Sequence, residues 1–463
     1  MTMRCSRRDF FNKSTLSALG LSTIGLYGNT PTEKAPDKTF DAISQKVFST
    51  PLVDTHEHFP NESDRVKGTP LTNEKSNDWA VLLNQYIVSD LLSAGMSRED
   101  YLKFISKEDP VSKWKYLEPW WPMVKTSGNC QALLFTLREL YGIDDLNAST
   151  IRALNQRYLA LIKPGFYKRI LKEKGNILSC QSQRWPYLDS EMPDFVMPDL
   201  DVSSMYMDPG TDMFAGPAGI TPKTLRDWES VIDWWFEKVA PKAVAFKAAS
   251  AYRRSLDFDK VERGEADKLH EKVLLHGGSD EAGRKALEDY LFWYVLGKIQ
   301  ETNKPLKVHT GYHAQWEEKS FPMDLYSVRD NVSDAFRLCE NAPGVKFVFF
   351  HIAYPYYEEM LALVKQYRNA HVDMVWSWIL DPVAAVDFFK KAIVTIPINK
   401  LLPFGGDHYL VELTYGQSRY VRTLIAKALN DLVRDCYLSE NDAIAIVDQV
   451  FYRNAHEIYN LKM

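Results

Sequence analysis

Eight short apolar runs, separated by longer segments, are the feature that most restricts the fold of this chain. Most are continuously apolar, as expected of strands that are buried on both faces. Helix-length patterns such as residues 280–301 and 356–369 lie between the later runs. Strand and helix alternating eight times predict an α/β fold, namely a (β/α)8 TIM barrel. The predicted strands cover residues 50–59, 176–183, 194–202, 243–250, 305–311, 345–353, 370–378 and 401–409.

More than a hundred residues between the first two predicted strands do not fit a minimal barrel. Two stretches, "NDWAVLLNQYIVSDLLSAGM" and "ASTIRALNQRYLALIKPGFYKRILKEK", place apolar residues at three- and four-residue spacing, which is typical of helices. We interpret residues 65–172 as a helical insertion after the first strand, beside the mouth of the barrel. A separate helical domain is the alternative. The barrel with its insertion is predicted to span residues 49–463.

The first residues differ in composition from the rest of the chain. "SRRDFFNKS" places paired arginines before two phenylalanines and a lysine, and a weakly apolar run follows. This pattern predicts a twin-arginine export signal over residues 1–28, followed by a polar linker over residues 29–48. We therefore expect a periplasmic protein that uses the twin-arginine export machinery, which carries folded proteins, often with a metal or cofactor already bound.

The charge balance narrows the range of partners. A formal net charge of −5 gives no indication of nucleic-acid binding, which is usually accompanied by a basic face. A small-molecule substrate is the expected partner, and assembly into a homo-oligomer is left open.

Polar side chains recur where the predicted strands end. The carboxyl ends of barrel strands converge, so these side chains should surround one point. Residues two apart on a strand project to the same side, which explains the spacing of the first pair. Imidazole nitrogen and carboxylate oxygen are ligands that Zn²⁺ and similar divalent metals accept. The residues concerned are His56, His58, Lys247, His309, His351 and Asp407.

The motifs "DTHEH", "KVHTG", "FFHIA" and "FGGDH", with Lys247, resemble the amidohydrolase superfamily of metal-dependent (β/α)8 barrels. The resemblance runs from about residue 50 to the end. It implies that a divalent metal, expected to be Zn²⁺ as one or two ions, is held by His56, His58, His309 and Asp407. It also implies that His351 binds a second ion or polarises the substrate. Lys247 would be a carboxylated bridge between two ions, or a substrate contact as in single-metal relatives.

Two groups within the superfamily share features with this chain. The barrel motifs look most like the group that contains aminocarboxymuconate-semialdehyde-type decarboxylases and lactone hydrolases. The insertion is similar in layout to that of uronate isomerases. The isomerase pattern lacks a histidine on the sixth strand, whereas His351 is present here.

Hydrolysis through a metal-activated water is the leading functional prediction. Asp407 would take the proton of the water and pass it to the leaving group, while His351 would polarise the carbonyl or stabilise the oxyanion. Tyr252 and Arg253, with Arg254 beside them, would bind a substrate carboxylate, and Arg184 is a further substrate-binding residue. The expected substrate is a small polar or anionic molecule such as a lactone, an amide or a uronate derivative.

Other functions remain open at this level. The alternative reactions on the same site are those of a lyase, in particular a decarboxylase, or of a uronate-type isomerase. A periplasmic ligand-binding protein is the alternative that is not an enzyme.

Overall fold

Eight parallel strands form one sheet in the sequential order β1 to β8, which confirms the predicted (β/α)8 barrel. The computed structural model describes residues 38–71, 75–184, 191–276, 281–312 and 325–461. The strands are β1 Leu52–Glu57, β2 Ile177–Arg184, β3 Val196–Asp201, β4 Ala245–Ala248, β5 Leu306–His309, β6 Phe347–Phe350, β7 Ala370–Asp373 and β8 Leu401–Leu402.

Strand β8 is shorter than the sequence predicts, because the chain leaves regular strand geometry after Leu402. The segment that follows approaches β1 closely: a Cβ atom on Gly406 would lie 2.0 Å from the Glu57 carboxylate, which would then have to move. The irregular segment nevertheless pairs with β1 and closes the barrel. The closing backbone hydrogen bonds are Thr55 N to Phe404 O at 3.1 Å, Asp407 N to His56 O at 2.9 Å and His58 N to His408 O at 2.9 Å.

Helices surround the barrel and bury its outer face. In chain order they are α1 Lys38–Ser49, α2 Glu62–Lys67, α3 Tyr86–Ser93, α4 Arg98–Ser106, α5 Pro110–Leu117, α6 Trp121–Val124, α7 Gly128–Tyr141, α8 Ile151–Leu161, α9 Phe166–Lys168, α10 Ser203–Met207, α11 Asp212–Ala218, α12 Leu225–Lys238, α13 Arg263–His276, α14 Glu281–Thr302, α15 Leu325–Asn341, α16 Tyr357–Gln366, α17 Ser377–Leu380, α18 Pro382–Thr395, α19 Val411–Arg434, α20 Glu440–Asp448 and α21 Asn454–Tyr459. Short 3₁₀ turns lie at Trp79–Leu83, Ala240–Lys242, Ser250–Tyr252, His351–Ala353 and Ile398–Lys400, and π-helical turns at Arg169–Lys174 and Gln449–Arg453.

The segment between β1 and β2 is helical, and it contains α2 to α9. It packs on the barrel through α19. The buried guanidinium of Arg65 binds both carboxylate oxygens of Glu412, at 3.2 and 2.7 Å. The same guanidinium donates to Tyr158 Oη at 2.9 Å and to Ser76 O at 3.0 Å. A charged pair without solvent access therefore joins the insertion to the barrel.

The predicted linker over residues 29–48 is wrong in its second part. Residues 38–49 form helix α1, and Ile43 and Val47 are fully buried against the barrel helices. These two apolar residues are one helical turn apart, so they give the helix one apolar face that packs on the barrel, although most of the segment is polar. The predicted export signal and residues 29–37 lie outside the described residues, so export remains a prediction. Among the helices that the structure describes, none has the length and apolarity needed to cross a membrane.

The buried pair leads to a stability prediction. Glu412→Gln should lower the free energy of unfolding by about 3–5 kcal/mol, because it leaves the Arg65 charge buried without a counterion. Urea denaturation of purified protein measures this change.

Glu139→Gln is the matched control, because Glu139 pairs with Arg419 at 2.8 Å where both side chains are partly exposed. The free energy of unfolding of this variant should fall by about 0–1 kcal/mol. Equal losses in the two variants would contradict a special role for the buried pair.

Candidate active site

Two histidines and one carboxylate meet where β1 and the segment after β8 come together. His56 Nε2 lies 3.3 Å and His58 Nε2 3.0 Å from the same oxygen, Asp407 Oδ1. His56 and Asp407 are buried, whereas His58 is half-buried. Glu57, between the two histidines in sequence, points the other way and accepts hydrogen bonds from Thr414 Oγ1 and His408 N. The expected alternation along β1 is therefore present.

The chemistry of this group fits a divalent metal ion. One ligand atom from each of His56, His58 and Asp407 lies within 4.8 Å of the others, and an ion with bonds of about 2.0–2.2 Å can contact all three. Burial and the Lys247 charge lower the pKa of His56 to about 4, so its imidazole is neutral. Burial opposes ionisation of Asp407, but its contacts with His56 and His58 hold its pKa well below the usual range. A neutral imidazole and an ionised carboxylate are the forms that bind metals.

The backbone around this group is held in an unusual conformation. Six residues other than glycine have positive φ there: Gln85 at 62°, His351 at 65°, Ile352 at 51°, Ala353 at 55°, Trp376 at 61° and Asp407 at 62°. Such conformations cost free energy and concentrate at functional sites. Asp54 helps to hold Asp407, because its Oδ1 accepts from His56 N at 3.2 Å and from Gly406 N at 3.3 Å. Asp54 thus ties β1 to the loop that carries Asp407.

His309 and His351 form a second pair beside this group. Their ring centroids are 4.3 Å apart, at the ends of β5 and β6. They are not part of the three-residue cluster that the described residues form around Asp407 Oδ1. His351 Nδ1 lies 3.0 Å from Val375 O, which can only accept, so Nδ1 carries the proton and Nε2 has the free lone pair. Burial, opposed by the Asp407 charge, lowers the pKa of His351 to about 3, so the ring is neutral.

Lys247 is buried at the end of β4, close enough to Asp407 for the carboxylate charge to affect the pKa of the Lys247 amine. Its Nζ lies 4.0 Å from the centre of the Phe350 ring. Burial lowers the pKa of Lys247 to about 8, and the Asp407 charge limits the shift. A lysine with this pKa has a neutral fraction near neutral pH that can react or bind. Its predicted roles, as a carboxylated bridge or as a substrate contact, stay predictions.

The predicted substrate-binding residues have different surroundings. Tyr252 lies at the mouth, with its ring centroid 4.3 Å from that of His309. Arg253 forms a bidentate pair with Asp208 at 2.7 and 2.8 Å. A substrate carboxylate would therefore have to displace the Asp208 side chain from Arg253. Arg184 ends β2, and its side chain lies outside the described residues.

Arg254, the residue after Arg253, also has partners within the chain. It binds Glu288 at 2.8 Å and Asp289 at 2.5 Å.

The sequence did not reveal that the insertion reaches the site. Tyr86, the first residue of α3, donates from its hydroxyl to Asp407 Oδ2 at 2.6 Å, and Gln85 Nε2 donates to Asp407 O at 2.6 Å. The Tyr86 ring stacks on Trp376 with centroids 4.5 Å apart. Nothing in the spacing of "NQY" distinguishes it from other helix starts, so only the fold could identify these residues.

Asp199 and Asp201 of β3 were also missed, although a signal existed. They are two residues apart at the end of a predicted strand, as His56 and His58 are. Asp201 Oδ1 accepts from Ser203 N at 2.7 Å, and its Oδ2 accepts from Gln183 Nε2 at 2.5 Å. Asp199 Oδ2 lies 2.5 Å from Lys307 Nζ. These buried carboxylates line the barrel next to the metal-ligand candidates.

Comparison with solved structures shows the same fold over nearly the whole chain. A uronate isomerase from Thermotoga maritima has a TM-score of 0.73 and 15% identity, over 91% of this chain and 97% of its own. A glucuronate isomerase from Caulobacter crescentus has a TM-score of 0.73 and 14% identity, over 94% and 96%. A presumed metal-dependent hydrolase from Lactobacillus casei ATCC 334 has a TM-score of 0.61 and 19% identity, over 90% and 97%. At these identities the likeness concerns the fold alone.

The sequence was also compared with curated proteins and with models of protein families. No protein with a curated description matches the chain. A family model described as amidohydrolase matches residues 242–461, which include Lys247, His309, His351 and Asp407. This match covers just under half of the chain, and together with the (β/α)8 barrel and the cluster at Asp407 it makes the chain similar to the amidohydrolases.

Proposed function

We propose that this enzyme hydrolyses a small polar or anionic substrate, such as a lactone, an amide or a uronate-like compound, with one divalent ion, expected to be Zn²⁺. The observation that carries the proposal is the convergence of His56 Nε2 and His58 Nε2 on Asp407 Oδ1. A divalent ion held by these residues supplies Lewis acidity, which makes attack of water on a carbonyl feasible near neutral pH.

Asp407 is the proposed proton carrier. Its two carboxylate oxygens have different neighbours: Oδ1 faces the histidines, and Oδ2 accepts from Tyr86. Tyr86 also donates toward Asp407 O at 2.9 Å, so the carboxylate is held against rotation. A fixed carboxylate can take a proton from the attacking water and return it to the leaving group.

His351 is better suited to accept a proton than to donate one. Its Nδ1 proton is used by Val375 O, so Nε2 presents a lone pair toward the site. Stabilising an oxyanion would need a proton on Nε2. The ring could carry it only as an imidazolium, which its low pKa disfavours, or as the other tautomer, which loses the bond to Val375 O. We therefore propose that His351 accepts from a substrate hydroxyl rather than donating to an oxyanion.

The walls around the site suit a small organic substrate with an anionic group. Tyr86, Trp376 and Tyr312 form a continuous aromatic surface, with 5.8 Å between the last two ring centroids. Lys247 is the buried cation of the site that could face a substrate carboxylate. Aromatic faces and one cation favour compact anions over large polymers.

A uronate-type isomerisation is the second candidate. It is favoured by the full-length fold likeness to isomerases and by the helical insertion that brings Tyr86 to Asp407. Isomerisation moves a proton between neighbouring carbons of the substrate, which also needs a fixed base such as Asp407.

One experiment separates these reactions. Metal-loaded enzyme is incubated with lactones, amides, uronates and aromatic acids in H₂¹⁸O, and the products are analysed by mass spectrometry and NMR. Hydrolysis predicts one ¹⁸O atom in the acid that is formed by the catalysed bond cleavage. Turnover to an isomer without bond cleavage would support the second candidate, and release of carbon dioxide would indicate a decarboxylase. Tight binding without turnover would contradict both proposals.

Removal of a metal ligand should abolish metal binding. His56→Ala and His58→Ala should each lower the metal content from about one equivalent to below about one tenth, because a site with three protein ligands loses most of its affinity with one of them. Elemental analysis after dialysis against Zn²⁺ measures the content.

His371→Asn is the control, because His371 contacts Phe347 O on the neighbouring strand. It should keep the wild-type metal content. Full metal occupancy in both site variants would contradict the assignment.

Loss of the Tyr86 hydroxyl should affect turnover more than metal content. Tyr86→Phe should lower kcat about 10–100-fold, because the Asp407 carboxylate is freed to rotate. The metal content should stay at the wild-type value, since the two histidines and Asp407 remain. Tyr415→Phe, which removes a hydroxyl bound to Glu139, should leave kcat unchanged. An unchanged kcat in Tyr86→Phe would contradict the proposed role.

A further inference from the structure

We propose that Asp199 is a positioning residue for the metal ligand His56, and that Lys307 holds Asp199 in place. The inference rests on the proposed metal centre, but it is independent of which reaction that centre catalyses.

Asp199 lies inside the barrel on β3 and is fully buried, as is Lys307 on β5. Lys307 Nζ lies 2.5 Å from Asp199 Oδ2 and donates to Thr55 O at 2.7 Å. Thr55 directly precedes His56 on β1. The ammonium group therefore fixes the Asp199 carboxylate and the backbone of β1 relative to each other.

The imidazole of His56 needs an acceptor on the side that faces away from Asp407. Its Nε2 faces Asp407 Oδ1 and must be unprotonated to bind a metal, so the proton then lies on Nδ1. Metal-bound histidines almost always donate this second N–H to a carboxylate, a carbonyl or water. His56 Nδ1 is buried without a hydrogen-bond partner, and its ion-pair neighbour is Asp199 Oδ2 at 3.9 Å.

Asp199 has an unused acceptor on the same side chain. Its Oδ1 is buried and has no hydrogen-bond partner. A buried donor and a buried acceptor without partners are each costly, and the two lie on neighbouring side chains. His56 Nδ1 lies 3.9 Å from Asp199 Oδ2, so a movement of about 1 Å brings the ring within hydrogen-bond length of the carboxylate. Binding of a metal at Nε2 supplies the reason for this movement.

A purely structural role is the competing explanation, in which Asp199 only neutralises Lys307. The two explanations make different predictions for a variant that removes both charges. Asp199→Leu together with Lys307→Met replaces a buried ion pair by apolar side chains of similar volume, which is often tolerated. This double variant removes the acceptor for His56 without leaving a buried charge.

The test measures Co²⁺ binding to metal-free protein by competition with a chelating dye, together with the visible absorption spectrum of bound Co²⁺. Wild type is compared with Asp199→Asn and with the double variant. Asp373→Asn is the matched control, because Asp373 is a buried carboxylate of the barrel that accepts from Val375 N. Thermal unfolding of each metal-free variant reports its folding.

We expect Asp199→Asn and the double variant to bind Co²⁺ about 10–100-fold more weakly than wild type, with an altered absorption spectrum. Asp373→Asn should bind Co²⁺ within about twofold of wild type. A double variant that folds and binds Co²⁺ as wild type does would overturn the inference and leave the metal centre intact. A wild-type protein that binds no Co²⁺ would overturn the metal centre, and the inference with it.

Discussion

The backbone hydrogen bonds between β1 and the segment after β8 determine both the fold and the site. Asp407 N donates to His56 O, and His58 N donates to His408 O, so one pair of bonds closes the barrel and fixes the register of the ligand candidates. Because these hydrogen bonds fix the pairing of β1 with the segment that carries Asp407, both imidazoles lie next to one oxygen of the Asp407 carboxylate. The free energy of barrel closure thus also holds the site together before any metal binds.

The insertion completes this site rather than only flanking it. Tyr86 and Gln85 bind the side chain and the carbonyl of Asp407, and the buried pair of Arg65 with Glu412 fastens the insertion to the helix that follows Asp407. The position of the carboxylate therefore depends on two contacts from outside the barrel.

The sequence predicted the barrel and the meeting of His56, His58 and Asp407, because the carboxyl ends of parallel strands must converge. It could not predict Tyr86, since a residue that starts a helix in an insertion has no strand register to place it. It could not show that Arg253 is bound to Asp208, which depends on how a loop folds. It did not predict helix α1, because polar residues surround Ile43 and Val47 in the sequence. The burial of these two residues depends on packing against helices far along the chain.

We propose that His56, His58 and Asp407 hold a divalent ion at the carboxyl end of the barrel. Anomalous diffraction at the zinc absorption edge, from crystals of Zn²⁺-loaded protein, can show the ion itself. We expect an anomalous peak in contact with His56 Nε2, His58 Nε2 and Asp407 Oδ1, at distances of about 2.0–2.2 Å. An ordered site with all three side chains in place and no peak between them would contradict it.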